Sequence, residues 1–158
     1  MLPESVTGLV GKAGDVIMLE VEKGAIKKFA HAIDDLNPLY LDEEYGRNSK
    51  YGSMIAPPGF FGWPTKWTGG MPVFPKIIET LNAALTEAGY PRLLDGGVDY
   101  EFFIPVRPGD SIAMLPKVAR IAERDTKGGK LVFSFIETSY TNQNGGLVAR
   151  TRQTLINR

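Results

Sequence analysis

The stretch KLVFSFIETSYTNQNGGLVARTRQTLIN, residues 130–157, decides the fold. Two runs dense in β-branched and aromatic residues, KLVFSFIETSYTN and LVARTRQTLIN, meet at NQNGG (142–146), a loop of the kind that joins antiparallel neighbours. Upstream, GVDYEFFIPVRPGDSIAMLPKVARIAER (97–124) has the same β-rich character and reaches the first run through DTKGGK (125–130). Arg107-Pro108-Gly109-Asp110 reads as a turn or sharp bend within it. The last third of the chain is therefore expected to form four successive antiparallel strands.

The first half has a different period. From Pro75 to Ala88 the residues Ile77, Ile78, Leu81, Ala84, Leu85 and Ala88 make one helical stripe; Pro75 suits the first turn, and Gly89 with Pro91 closes the helix. Its expected role is packing. From Lys23 to Asp35, Ile26, Phe29, Ala30 and Ile33 fall at i, i+3, i+4 and i+7, an amphipathic helix. Asn37 precedes Pro38 and is pushed out of helical geometry, so that helix should finish near Asp35 or Leu36. Asp15 to Glu20 reads as a short first strand with Val16 and Met18, and Leu19 as a further candidate, turned inward. Tyr40 to Thr68 is long and irregular, broken by IAPPGFFGWP (55–64), with a helix expected to start after Pro58. The sum is an α+β domain, a sheet folded over helix, filling residues 1–158 as a single domain.

Composition removes much chemistry. Eighteen basic and eighteen acidic residues balance, with no long run of either sign, so neither a nucleic-acid surface nor an anionic-membrane surface is expected. The absence of cysteine excludes disulfides, thiolate nucleophiles and Cys-based metal sites. His31 is the only histidine, so metal sites that need paired histidines cannot be built, and no metal or cofactor is expected. No apolar run approaches a membrane span and no export signal opens the sequence, which predicts a soluble, cytoplasmic protein.

AIDDLNPLYLDEEYG, residues 32–46, carries the first chemical signal. Two carboxylates stand where a helix already presents its negative end, an arrangement that costs roughly 0.3–1 kcal/mol relative to a cation. Pro38 sets the turn, Asn37 can tie it by side-chain hydrogen bonds, and Asp35 is left at a helix end that disfavours its ionised form, which suits a general base. The second signal is Ile55-Ala-Pro-Pro-Gly59-Phe-Phe. A helix beginning there would offer free backbone N–H groups to an oxyanion, with Gly59 allowing close approach of a carbonyl.

DDLNPLYLDEEY, YGSMIAPPGF, LDGGVDYEFFIPVRPGDSI and LVFSFIETSYTNQNGGLVARTRQTLI together resemble the MaoC-like hot-dog hydratases and dehydratases, particularly the MaoC N-terminal dehydratase domains. The resemblance runs from Gly14 to Ile156. It implies a hot-dog domain, a roughly five-stranded antiparallel sheet wrapped around a central helix, dimerised into one continuous sheet with acyl-CoA or acyl-carrier thioesters bound at the interface. Hydratases of this family carry Asp-x-Asn-Pro-x-His, whose Asp and His hold the water added across an enoyl-thioester. The matching positions here are Asp35, Asn37, Pro38 and, in place of histidine, Tyr40. The family's oxyanion donor corresponds to Gly59.

Two readings follow from the resemblance. In the first, the chain is a hydro-lyase interconverting an enoyl-thioester and its 3-hydroxyacyl form, with Asp35 as base, Gly59 N–H as oxyanion donor, and Tyr40 and Asn37 assisting. In the second, it is a non-catalytic acyl-binding subunit whose hot-dog partner carries the Asp–His pair. Pro58, Phe60 and Trp63 are the candidate substrate contacts in either. The competing structural readings are a solvated helix-end carboxylate for Asp35, a surface histidine for His31, packing aromatics for Tyr40, Tyr45 and Tyr51, and core or dimer contacts for Phe60, Phe61, Trp63 and Trp67. Arg150 and Arg152, two apart on a strand, read as a solvated face.

Overall fold

Strand pairing turns the β-rich third of the chain into one sheet with an order the sequence does not display. A computed structural model describes residues 1–60, 67–68, 71–72 and 75–158. In chain order the elements are α1 (Glu4–Thr7), β1 (Ile17–Glu20), α2 (Lys23–Ala32), α3 (Pro38–Leu41), α4 (Glu43–Asn48), β2 (Trp67–Thr68), β3 (Met71–Pro72), α5 (Lys76–Glu87), β4 (Leu93–Phe102), β5 (Ser111–Thr126), β6 (Gly129–Thr141) and β7 (Leu147–Asn157). Five strands form an antiparallel sheet in the order β1-β5-β6-β7-β4, and β2 pairs with β3 alone. The hairpins β5–β6 and β6–β7 fall where the two glycine-bearing loops forecast them. β4 instead pairs with β7, so residues 103–110 carry the chain from one side of the sheet to the other.

The sheet curls over the helices, an α+β hot-dog architecture. Along β6, Val132, Ser134, Ile136, Thr138 and Tyr140 are buried at every second position, the alternation expected of a strand with one covered face. Two apolar clusters fill the concave side. In one, Ile77, Ile78, Leu81 and Leu85 of α5 pack on Val118, Val132, Ile136 and Leu155. In the other, Ile26 and Ala30 of α2, Tyr40 of α3 and Met54, Ile55 and Phe60 meet Ile112, Met114, Tyr140 and Val148.

Three local expectations change. In β1, which starts at Ile17 rather than Asp15, Leu19 is buried at 5% exposure, whereas Met18 stands at 58% and Val16, just before the strand, at 57%. The register opposes Leu19 to the buried Ile112, and the two-residue period of a strand then turns Met18 outward. The α2 helix ends at Ala32, earlier than Asp35 or Leu36. Asp34 adopts φ +56°, its N–H donates to the His31 carbonyl, and the Asp35 N–H donates to the Ala30 carbonyl, the double closure of a Schellman cap. Aspartate is among the few side chains that tolerate this backbone region, which explains the first of the two carboxylates. Within the supposed loop of Tyr40–Thr68 lie the end of α3 and the whole of α4; Gly46 of α4 sits so close to Ser53 and Met54 that a Cβ would come within 2.5 Å of the Met54 nitrogen.

Candidate functional site

A capped turn, two cross-segment backbone bonds and a tight glycine turn assemble the site. After the α2 cap, Asp35 Oδ1 accepts the Asn37 N–H at 3.3 Å, and Asn37 Oδ1 accepts the Leu39 N–H at 3.0 Å, capping α3 with Pro38 in its first turn. This turn drives the Tyr40 side chain inward, to 8% exposure. Next, the Ile55 N–H donates to the Leu39 carbonyl at 3.1 Å and the Ala56 N–H to the Val106 carbonyl at 2.8 Å, so the 55–56 segment lies between α3 and the crossing connection. At Pro57–Phe60 the Phe60 N–H returns to the Pro57 carbonyl at 3.2 Å, with Pro58 and Gly59 in the middle. Gly59 takes φ +82°, the backbone that the third position of a type II turn requires and that glycine alone adopts freely.

Between these segments lies a cavity of about 480 Å³, a size typical of a small-molecule site. Asn37, Tyr40, Tyr51 and Pro58 stand on one side of it, and Phe102 to Val106 on the other. The walls are mainly apolar, with the Tyr40 phenol set among them. Burial raises the Tyr40 phenol above the ordinary tyrosine range, and the nearby Asp35 and Tyr51 raise it further. A phenol held this way keeps its proton at neutral pH and acts as a hydrogen-bond donor. Deeper in the same cluster, burial pushes Tyr140 to about 12, partly offset by its hydrogen bond with Thr151. A wider depression between α2 and α4, edged by Lys27, Asp42, Glu43 and Arg47, is open and charged and gathers no comparable apolar wall.

The structure thus brings Asn37, Tyr40 and Pro58 to one cavity, with Asp35 near enough to act electrostatically on Tyr40. Gly59 adjoins Pro58 in the turn. Phe60 is fully buried, its ring edge-on to Phe29 at 5.8 Å, and belongs to the core. Trp63, with Phe61, lies outside the described residues, as does most of the helix expected after Pro58; the described part of that segment is the turn. His31 is exposed on the last turn of α2, and only its backbone carbonyl enters the cap. Tyr45 is exposed at 52%, and Arg150 and Arg152 are solvated, paired with Glu101 and Glu137. Sequence reading did not anticipate the opposite wall, Phe102 to Val106, because the crossing of β4 brings it there. Among the described residues no group of histidine and carboxylate side chains could hold a metal ion, and no helix is long and apolar enough to cross a membrane.

Residues 8–151 match the family model described as FAS1-like, dehydratase domain region. A probable enoyl-CoA hydratase alpha subunit of Thermomonospora curvata is 31% identical over 143 residues, covering 83% of this chain and 43% of that protein. A UPF0336 protein of Streptomyces avermitilis is 30% identical over 102 residues, covering 65% of this chain and 63% of its own length. The chain therefore spans less than two thirds of these curated relatives. Among solved structures, the ChsH1–ChsH2 complex of Mycobacterium tuberculosis superposes with TM-score 0.83 at 19% identity, covering 97% of this chain and 93% of that one. A MaoC-like dehydratase from Rhodospirillum rubrum gives TM-score 0.62 at 26% identity, over 94% and 91% of the two chains.

Proposed function

The chain belongs to the FAS1-like dehydratase-domain family, within the MaoC-like hot-dog hydratases and dehydratases, and from that premise we propose that it is the acyl-thioester-binding half of a heteromeric hydratase. The observation that carries this reading is Tyr40, a buried, protonated phenol in the cavity wall at the position of the family's histidine. Adding water across an enoyl-thioester needs a base to take a proton from water, and a neutral phenol is a poor one. The chain's single histidine is exposed on α2. A partner hot-dog chain then supplies the Asp–His pair, while this chain holds the acyl group between Tyr40, Tyr51, Pro58 and Phe102. Gly59, in the backbone that only glycine takes freely, is the proposed carbonyl neighbour, and Trp63 is a further proposed contact.

The partner surface in this reading is β4. It is an edge strand, it carries the exposed apolar residues Leu94, Val98 and Phe102, and it contains no proline to block pairing. Phe102 belongs both to that edge and to the cavity, so a chain added there would complete the site. Support comes from the ChsH1–ChsH2 assembly, a complex of two chains, one of which has this fold.

The second reading, a self-sufficient hydratase, draws on the electrostatic contact of Asp35 with Tyr40. Asp35 would take the proton from water and Tyr40 would deliver one. One experiment separates the two: hydration of crotonyl-CoA is followed with the purified chain alone and after mixing with a histidine-bearing hot-dog partner from the same cell. Activity that appears only on mixing, and survives Asp35→Asn, is expected. Full turnover by the isolated chain, abolished by Asp35→Asn, would overturn the binding-half reading.

A further inference from the structure

We infer that Arg107 is a positioning residue for the cavity, latching its Tyr51 wall to the rigid end of the sheet. The cavity is built from three segments, 37–40, 51–58 and 102–106, the last two about fifty residues apart, and the seam between those two keeps its width only if something joins them. The guanidinium of Arg107 crosses the seam. Its Nε donates to Ser53 Oγ at 3.1 Å and its Nη2 donates to the Tyr51 carbonyl at 3.1 Å. The Ala56–Val106 backbone bond is the second stitch.

The other end of the latch is held from several directions. The Arg107 N–H donates to Asp110 Oδ2 at 2.7 Å, and Asp110 Oδ1 accepts from Gln143 Nε2 at 3.0 Å. Gln143 in turn accepts the Ser111 N–H through Oε1 at 3.1 Å, which ties the bend to the start of β5 and to the β6–β7 loop. The Gly109 N–H donates to the Val21 carbonyl at 2.8 Å, and the Val21 N–H donates to the Asp110 carbonyl at 2.9 Å, fixing the bend to the chain just after β1. The loop it grips is held more lightly: the Tyr51 N–H donates to Ser49 Oγ, the Gly52 N–H donates to the Ser49 carbonyl, and Gly52 takes φ +69°. Arginine suits the task because a planar fork reaches two acceptors at once, whereas an ammonium satisfies two acceptors only by giving up fixed geometry. The position of Tyr51 matters to the site because Tyr51 lines the cavity together with Tyr40.

The ligand class, an acyl-thioester, rests on the function proposed above; the latch itself does not. Arg107→Met and Arg107→Lys are compared with wild type by amide hydrogen exchange resolved to residues 51–56, and by the affinity for hexanoyl-CoA against free CoA. In Arg107→Met, exchange across 51–56 should rise about ten-fold while β6 and β7 keep their protection. Hexanoyl-CoA affinity should fall about ten-fold with free CoA little changed, and Arg107→Lys should recover part of both losses. Unchanged exchange at 51–56, or an increase spread equally over the sheet, would overturn the latch. If no chain binds hexanoyl-CoA while the local exchange responds as stated, the latch stands and the acyl-binding reading falls.

Discussion

The two halves of the concave face share one sheet and differ in what covers it. Under α5 the cover is aliphatic and periodic: Ile77, Ile78, Leu81 and Leu85 repeat at helical spacing and meet Val118, Val132, Ile136 and Leu155 from alternating strand positions. Two regular periods interlock and the volume is filled. Under α2 and α3 the cover comes from short helices and turns and is richer in aromatic rings, with Phe29 and Phe60 packed into the core and Tyr40, Tyr51 and Ile55 lining a cavity. Aromatic rings brace one another at fixed angles, as Phe29 does against Phe60, and leave space that flexible aliphatic chains would occupy. In this molecule, regular repetition makes core and irregular chain makes a site.

The largest expected effect comes from the filled half. Leu81 is 1% exposed, and Leu81→Ala should cost about 2–5 kcal/mol of stability by urea denaturation, from lost transfer energy and the cavity left behind. The same variant, measured where it remains folded, should bind thioester as wild type does. A drop in affinity matching the drop in stability would mean that the two halves are one mechanical unit and would break the contrast drawn above.

Alkaline pH addresses the other half. Tyr140 is held at about 12 by burial, whereas an unfolded tyrosine ionises near ~10. Because the folded value is the higher, the unfolded chain loses its proton first as pH rises. The stabilising term is therefore whole below pH ~10, declines between about 10 and 12, and amounts to about 2–3 kcal/mol over that window. Tyr40 and Tyr100 shift in the same direction, also chiefly through burial, and add to the slope. Urea midpoints measured across this range should fall, and Tyr140→Phe should flatten the fall. An equal slope in wild type and variant would assign the alkaline transition to other groups.

The contrast also explains what the sequence discloses. The stripe of α5 and the two late hairpins are legible because each is a local pattern: a repeat of 3.6, or two β-rich runs around a glycine-bearing loop. The motif Asp35-Asn37-Pro38-Tyr40 is legible for the same reason, since its hydrogen bonds span only two residues. The inward face of β1 is not, because Val16, Met18 and Leu19 are all apolar and only the pairing of Leu19 with Ile112 selects between the alternating faces. Nor is the far wall of the cavity. Phe102 and Val106 reach Tyr40 because β4 pairs with β7 and the chain then crosses the sheet, a long-range choice that leaves no local mark.

The smallest effect belongs to Asp34, the residue that ends α2. Its φ of +56° costs a non-glycine residue about 1 kcal/mol, and its carboxylate adds roughly 0.3–1 kcal/mol of repulsion at a helix C-terminus. Asp34→Gly relieves both but frees the unfolded chain, which returns about 0.4–1 kcal/mol. A net gain of about 0.5 kcal/mol is therefore expected, visible as a small rise in urea midpoint. Asp34→Asn keeps a side chain that tolerates the same backbone and removes only the charge, so its gain should shrink as salt is added. Asp34→Val keeps neither virtue and should lose stability by more than either gains. Thioester affinity should be the same in all of them, because the bond from the Asp35 N–H to the Ala30 carbonyl survives each change and continues to deliver Asn37 and Tyr40 to the cavity. A glycine variant less stable than wild type would show that the Asp34 side chain supports the cap, and the first carboxylate of the pair would then need a role of its own.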